Sequence, residues 1–513
     1  MPEQHREISV AEFFEKNRHL LGFSNPQKAI ITCIKEAVDN ALDACEVERI
    51  LPEIHVTIEE TGDEKLRFQV KDNAMGIDKD IIPNIFGKLL YGSKFHKLQQ
   101  TRGQQGIGIS AAGLYAQLTT GNPVKIYSRK KGEEDTHMFK VRIDTQENEP
   151  EIIEDRIVDD YEFDHGTSIE MEVEAKYTGG HHSVRTYLKH TAIMNPYAKI
   201  VLHEPDGNTI EYPRVSDSLP PKPKEIKPHP HGVELGVLQR MIKNSSSRTV
   251  SSLLRNEFTR VGRTSADDIL EKAGIEGNKR PSTLEKNQIE NLLDAMQNTD
   301  LQNPPTNCLS PIGEDLIERG LKKELNPEFV ASVTRKPSVY RGNPYQIEAA
   351  IAYGGDIQDK GTYDVLRYAN KVPLIYKRSS CATTKAIRDT DWSRYNLSES
   401  GERPQGPVYI LVHMASVWVP FTSEGKEAIA DYPEIRKEMK LALQEVGRKL
   451  KTHISQKRKK KVRAKKKKKL TSYGQLMSGA LAELTSEDED TIQDAITEML
   501  NDKYGENVEE AEG

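Results

Sequence analysis

The 513-residue sequence predicts a multidomain α+β protein, and three observations carry that prediction. A single hydrophobic core stops growing at roughly 250–300 residues, well short of this length. Proline-rich punctuation at Leu219–Pro230 (LPPKPKEIKPHP) and at Asn303–Pro311 reads as linkers that divide the chain. The periodicities differ between the segments so made. The first mixes helix and strand patterns, the middle one is mostly helical, and the third begins as α/β and ends in a long helix. In that helix Ile435, Met439, Ala442, Val446, Leu450 and Ile454 draw one apolar stripe.

Composition bounds the function. No apolar run approaches the roughly 18–20 residues needed to cross a bilayer, so no membrane role is expected. The N-terminus, MPEQHREISV, lacks the apolar stretch of a secretory signal, which points to a cytoplasmic protein. Cys33, Cys45, Cys308 and Cys381 are scattered without a CxxC pair, so neither a zinc site nor a disulfide framework is expected. A formal charge of −6 argues against nucleic acid, but the charge is segregated. Lys457–Lys469 reads KRKKKVRAKKKKK, whereas Glu487–Glu512 holds eleven acidic residues against Lys503 alone. Such blocks are either solvated surface or an interaction feature.

In the first segment, Lys28–Glu46 (KAIITCIKEAVDNALDACE) is an amphipathic helix that stacks Glu36 and Asn40 one turn apart on one face. A carboxylate there can take a proton from water, and the amide oxygen can ligate Mg²⁺. Two alternating runs, Glu53–Ile58 and Leu66–Lys71, are predicted strands, and the second delivers Asp72 into a turn ending at Gly76. Asp72 can accept a hydrogen bond from an exocyclic amine, or simply close the strand. Next, Arg102–Leu118 (RGQQGIGISAAGLYAQL) places Gly103, Gly106 and Gly108 before a helix of small residues, so that backbone N–H groups can approach phosphate oxygens. No hydrophobic strand precedes these glycines, no Gly-Lys-Ser/Thr follows, and the kinase HRD and DFG elements are missing. Rossmann, P-loop and kinase folds are therefore excluded. Finally, His165–Val173 (HGTSIEMEV) opens a strand with Thr167, whose hydroxyl can join Asp72 around a base.

Taken together, the order and spacing of these elements resemble the GHKL (Bergerat) ATPase domain shared by gyrase, Hsp90, histidine kinases and MutL. The resemblance implies ATP as the bound nucleotide, Glu36 as general base and Asn40 as the Mg²⁺ ligand. It further implies Asp72 with Gly76 at adenine, and a lid over the phosphates running Arg102, Gly103, Gln104, Gln105, Gly106, Ile107, Gly108 and Ile109. Three stretches, Glu36–Glu46, Gly87–Gln117 (GKLLYGSKFHKLQQTRGQQGIGISAAGLYAQ) and Val419–Ala430 (VPFTSEGKEAIA), resemble the B subunits of DNA topoisomerase VI. That family adds Ser93 and Lys94 to the lid, and Lys426 as a second catalytic residue reaching the γ-phosphate from the following domain. The strands around Lys426, Val372–Lys377 and Gly406–Ala415, would form the sheet of that transducer.

The domains implied are a GHKL ATP-binding domain with an N-terminal dimerisation strap (1–228), a helix-two-turns-helix domain (229–306), a transducer (307–470) and a C-terminal segment (471–513). In the helical domain Arg240, Lys243, Arg248, Arg255, Arg260 and Arg263 are candidate phosphate contacts or ordinary surface charge. The family's WKxY-like DNA motif becomes Trp392-Ser393-Arg394-Tyr395, with serine where lysine is expected. The expected function is an ATP-driven clamp that dimerises, with Arg6–Phe23 crossing to the partner copy, and traps double-stranded DNA. No Toprim-like acidic cluster or catalytic tyrosine is evident. Cleavage is therefore expected from an A subunit docked beyond about residue 465, in an A₂B₂ heterotetramer. The alternative is a MutL- or Hsp90-like clamp.

Overall fold

The computed structural model describes residues 8–92, 97–103, 106–159, 161, 163–361, 363–401, 403–423 and 425–504. The chain opens with α1 (Val10–Lys16), capped by Ser9, and α2 (Pro26–Val47). The start of α2 is fixed by Asn25, whose Oδ1 accepts the Lys28 N–H at 2.8 Å, and by Pro26 in the first turn. Its Ile30, Ile34, Ala37, Ala41 and Cys45 recur at helical spacing and are all buried.

An eight-stranded sheet follows: β1 (Glu53–Gly62), β2 (Lys65–Asp72), α3 (Ile82–Gly87), α4 (Gly108–Thr120), β3 (Val124–Arg129), β4 (Thr136–Asp144), β5 (Glu149–Val158), β6 (Gly166–Glu174), α5 (Val184–Met194), β7 (Lys199–His203) and β8 (Thr209–Tyr212). Its order is β5-β4-β3-β6-β2-β1-β7-β8, antiparallel except for β1 beside β7. Ile54, Val56, Phe68, Val70, Ile126 and Ile169 on one sheet face share a continuous core with α2, α4 and α5. β1 and β2 alternate inward and outward along their core-facing stretches, as period two requires. The register sets Ile54 opposite Asp72, which carries the end of β2 to the open edge of that core.

The middle unit consists of α6 (Leu235–Asn244), α7 (Val250–Glu257), α8 (Arg263–Ala273) and α9 (Lys286–Asn298) around their own apolar cluster. Arg240, Lys243, Arg248, Arg255, Arg260 and Arg263 are all exposed on it. After α10 (Glu314–Leu325) come β9 (Phe329–Thr334), β10 (Ser338–Tyr340), β11 (Asn343–Tyr353), β12 (Asp364–Ala369), β13 (Val372–Pro373), α11 (Ala382–Arg388) and the two-residue β14 (Ser398–Glu399) and β15 (Pro404–Gln405). β16 (Val408–Ser416), α12 (Pro433–Thr485) and α13 (Glu489–Tyr504) complete the chain. The second sheet runs β10-β11-β16-β12-β13, with β9 also on β11. One of its faces packs on the apolar stripe of α12. The other packs on α10 and on Ile193, Met194 and Tyr197 at the end of α5.

Two expectations need correction here. Only Val372–Pro373 of the predicted strand Val372–Lys377 pairs in the sheet. Beyond Pro373 the chain turns towards α2: Tyr376 stacks on His182, Lys28 lies over its ring, and Arg367 holds its carbonyl. The Trp392–Tyr395 stretch does not present its aromatics to solvent. Trp392 is fully buried with Nε1–H donating to Ile387 O, and Tyr395 packs against Gly447 of α12. Of its cations, exposed Arg394 is already paired with Asp391. The lysine run 457–469 continues α12, whose first half is anchored by the core, and lysine is a good helix former.

α10 comes so close to α5 that a β-carbon at Gly320 would sit 2.0 Å from Ile193 O. Gly320→Ala is therefore expected to destabilise the chain by about 2 kcal/mol through overpacking, read as a lowered thermal midpoint. An unchanged midpoint would mean that the two helices separate freely.

Candidate functional site

A cavity of about 660 Å³ opens between α2, the end of β2, the glycine loop before α4 and the second sheet's loops. From the first unit it is lined by Glu36, Asn40, Asp72, Gly76, Gly103, Gly106, Ile107, Gly108, Ile109 and Thr167. Lys426 lines it from the other side of the molecule. Ser93, Lys94, Gln104, Gln105 and Arg6 lie outside the described residues.

Asp72 is fixed by its neighbours. The N–H groups of Ala74 and Thr167 donate to its Oδ1 at 2.9 and 3.2 Å, and Tyr161 donates to its backbone carbonyl. Burial pushes its pKa up to about 6, against the opposing effect of those two amides. Gly76 has φ +75°, and a β-carbon there would meet Arg129 O at 2.1 Å, so only glycine fits this turn. The walls nearby are apolar, with Ile77, Ile81 and Ile169. A flat, hydrogen-bonding ring suits such a slot.

Glu36 sits against the start of α4. A β-carbon at Gly108, the first residue of that helix, would come 1.8 Å from Glu36 Oε2. The glycine therefore admits the carboxylate to the positive end of the helix. Burial alone would raise Glu36, but the Lys35 and Lys426 cations outweigh it and hold the group below its usual range. Lys35 Nζ lies 2.8 Å from Glu36 Oε1 and 3.6 Å from Asp39 Oδ2. An ionised carboxylate of this kind can orient a water and accept its proton. One turn on, Asn40 has no hydrogen-bond partner among the described residues, and its Oδ1 faces Gly103. A free amide oxygen opposite a glycine backbone fits Mg²⁺, which takes few protein ligands and keeps its waters and substrate phosphates. No group of three or more His, Cys, Asp or Glu suited to a metal occurs among the described residues.

Arg102, expected with the phosphate-contacting loop, points away from the cavity. Its guanidinium is buried between Asp43 Oδ1 at 2.9 Å, Glu46, and Asn195 Oδ1 at 2.6 Å. Two acids and an amide on neighbouring elements hold its two terminal nitrogens and pin the stem of the glycine loop to α2. Lys426 has φ +50°, and its Nζ donates to Arg102 O at 3.3 Å. Burial lowers its basicity, which Glu36 opposes.

Several lining residues had no sequence signal of their own. Pro373, Leu374, Ile375 and Tyr376 close the cavity from the unit built on the second sheet, hereafter the second unit, and the ion pair of Lys28 with Glu427 ties the two sides. Lys35 could have been found, since it precedes Glu36 and stands one turn before Asp39 on the same helix. The N-terminal helix α1 lies against its own chain, with Ala11 buried and Phe14 on the first core, while Ile8, Val10 and Phe13 stay exposed.

Residues 304–467 match the family model described as topoisomerase VI B subunit, transducer, and residues 25–147 match the histidine kinase-, DNA gyrase B- and HSP90-like ATPase. The chain is similar to the B subunit of a type 2 DNA topoisomerase 6 from Archaeoglobus fulgidus, 51% identical over 459 residues, covering 89% of this chain and 76% of that one. A protein of the same name from Methanococcoides burtonii is 46% identical over 502 residues, 98% of this chain and 80% of the other. The corresponding figures for one from Sulfurisphaera tokodaii are 42% over 503 residues, 97% and 94%.

Replacing Arg102 with Met would strip Asp43 of its buried cation. A loss of about 3 kcal/mol is expected in chemical denaturation, because one partner of a buried ion-pair network shared with Asp43 and Glu46 is removed. A stability change under 1 kcal/mol would show that the loop stem is held by other contacts.

Proposed function

The chain belongs to the family of type 2 DNA topoisomerase 6 B subunits, and from that membership we propose that it is the ATP-hydrolysing half of a DNA topoisomerase. ATP dimerises two copies through their first units, closure captures a DNA duplex, and hydrolysis reopens the clamp. Cleavage falls to an A subunit docked beyond about residue 465, giving an A₂B₂ assembly. The division we propose is 1–228, 229–306, 307–470 and 471–513; separate apolar clusters in the first three stretches support it, although α12 runs unbroken across residue 470. The transducer match over 304–467 favours this reading over a MutL- or Hsp90-like clamp.

One observation carries it: a single cavity shared by Glu36, Asn40, Asp72, the glycine loop and, from the second sheet's side, Lys426. In the proposed cycle Asp72, with Gly76 and Thr167, takes the adenine amine. The backbone of Gly103–Gly108, with Ser93, Lys94, Gln104 and Gln105 in the lid, covers the phosphates beside the α4 N-terminus. Glu36 aligns a water on the γ-phosphate and takes its proton. Asn40 would hold Mg²⁺, which supplies charge neutralisation at the phosphates. Lys426 exchanges the Arg102 carbonyl for the γ-phosphate, so the second unit follows the nucleotide state and is released when hydrolysis removes that partner. The exposed cations of the helical unit and of Lys457–Lys469 offer duplex phosphates a contact surface.

Glu36→Ala is expected to cut ATP hydrolysis by roughly 100-fold or more, measured as phosphate release, while ATP still dimerises the chain in sedimentation. Normal turnover would remove Glu36 as the base. An ionised Asp72 accepts the amine more strongly than a protonated one, and its pKa lies near 6. ATP affinity should therefore rise with pH through that value, weakening about tenfold by pH 5 relative to pH 7.5. Asp72→Asn should bind ATP weakly and without that pH dependence, and a parallel dependence in the variant would assign the titration elsewhere.

A further inference from the structure

The two-residue turn between β12 and β13 is Asn370-Lys371, and both residues are left-handed, with φ +47° and +70°. Hairpin tips normally face water and favour glycine at such positions. This one is buried, with each residue only 4% exposed, and it carries a charge. A strained, buried, charged tip persists only where the surroundings over-determine it.

Those surroundings connect the second sheet to the glycine loop. Asn370 Nδ2 donates to Thr101 O at 3.1 Å, and Lys371 Nζ donates to Glu46 Oε2 at 2.8 Å. Glu46 in turn grips Arg102. From behind, the Lys371 N–H donates to His413 Nε2 at 3.0 Å. An amide can only donate, so that nitrogen accepts, and His413 carries its proton on Nδ1, which donates to buried Glu348 at 2.8 Å. The tip is thus tied rigidly to β11 and β16 on one side and to the loop stem on the other. The third tie from the second unit to that stem is Lys426 on Arg102 O.

We propose that Lys371 is a positioning residue for the hydrolysis cycle: with Asn370 it forms a bearing that keeps the loop stem seated on the second sheet while Lys426 changes partner. The idea rests on the exchange proposed above for Lys426. When Lys426 leaves Arg102 O for a phosphate, the tip is, among the described residues, the hydrogen-bonded hold that the second unit keeps on residues 101 and 102, beside the Gln100–Ser310 pair. The second unit then rotates about that point instead of pulling the loop open. Without the Lys371 charge, nucleotide turnover continues but the rotation is no longer enforced.

The test uses the full chain with its A-type partner, comparing ATP hydrolysis with relaxation of supercoiled plasmid. Lys371→Met is expected to leave KM for ATP within about twofold of the parent and to lower relaxation events per ATP at least tenfold. Lys371→Arg, which keeps the charge, should recover at least half of that coupling. Asn370→Gly suits the left-handed backbone and removes the amide, so it should fold even if the Met variant does not, and it should lower coupling at least threefold. Unchanged coupling in the Met and Gly variants, hydrolysis and relaxation falling in proportion, or an Arg variant no better than Met would each overturn the proposal. A parent protein without ATP-dependent relaxation would instead strike the reading of the whole chain.

Discussion

The arrangement depends on neutralising one face of one helix. α2 presents Glu36, Asp39, Asp43 and Glu46 at three- and four-residue steps, and three of these four acids are largely withdrawn from water. Bare carboxylates in such a position would be protonated or would force the site open. The partners come from several places, some of them shared: Lys35 and Lys426 at Glu36, Lys35 and Tyr187 at Asp39, Arg102 at Asp43, and Arg102 with Lys371 at Glu46. Satisfying α2 therefore assembles the cavity. The glycine loop, the end of α5 and two loops of the second sheet converge on it because their charges and dipoles are needed there. Glu46, driven up by burial, is held at about 2 by Arg102 and Lys371. That part of the assembly is consequently strongest above the ordinary carboxylate range and fades as pH falls towards 2.

Local pattern made much of this legible. The spacing of Ile30, Ile34, Ala37, Ala41 and Cys45 marks the buried side of α2, and the same periodicity puts Glu36 and Asn40 together on another. Alternation in β1 and β2 brings Asp72 to a strand end, and the glycines before α4 announce a close backbone approach. What escaped the sequence depends on partners far along the chain. Arg102 reads as part of the glycine loop, yet its guanidinium belongs to acids 56 and 59 residues away. Trp392 and Tyr395 read as a surface motif, but the neighbouring stripe of α12 offers them a core. Lys371 had no signal, since a buried lysine at a hairpin tip is against every local preference.

The two sheets communicate through a layer of apolar contact as well as through charge. α10 lies between α5 and the second sheet, so displacement of that sheet is felt at Asn195 and Tyr197, which stand beside Arg102. The opposite face of the sheet rests on α12, α11 and the segments around Trp392 and Ala428.

α12 runs for 53 residues, a rod of about 80 Å. Only its first half is bedded in the core. Beyond Ile454 it stands in solvent until α13 doubles back along it, with Ile496 against Gly474. A tilt of about 5° at Ile454 would sweep the far end of the segment beyond it, about 47 Å long, through about 4 Å by simple geometry. The displacement grows with distance from the bedded half, so it is greatest at the tip, where α13 doubles back.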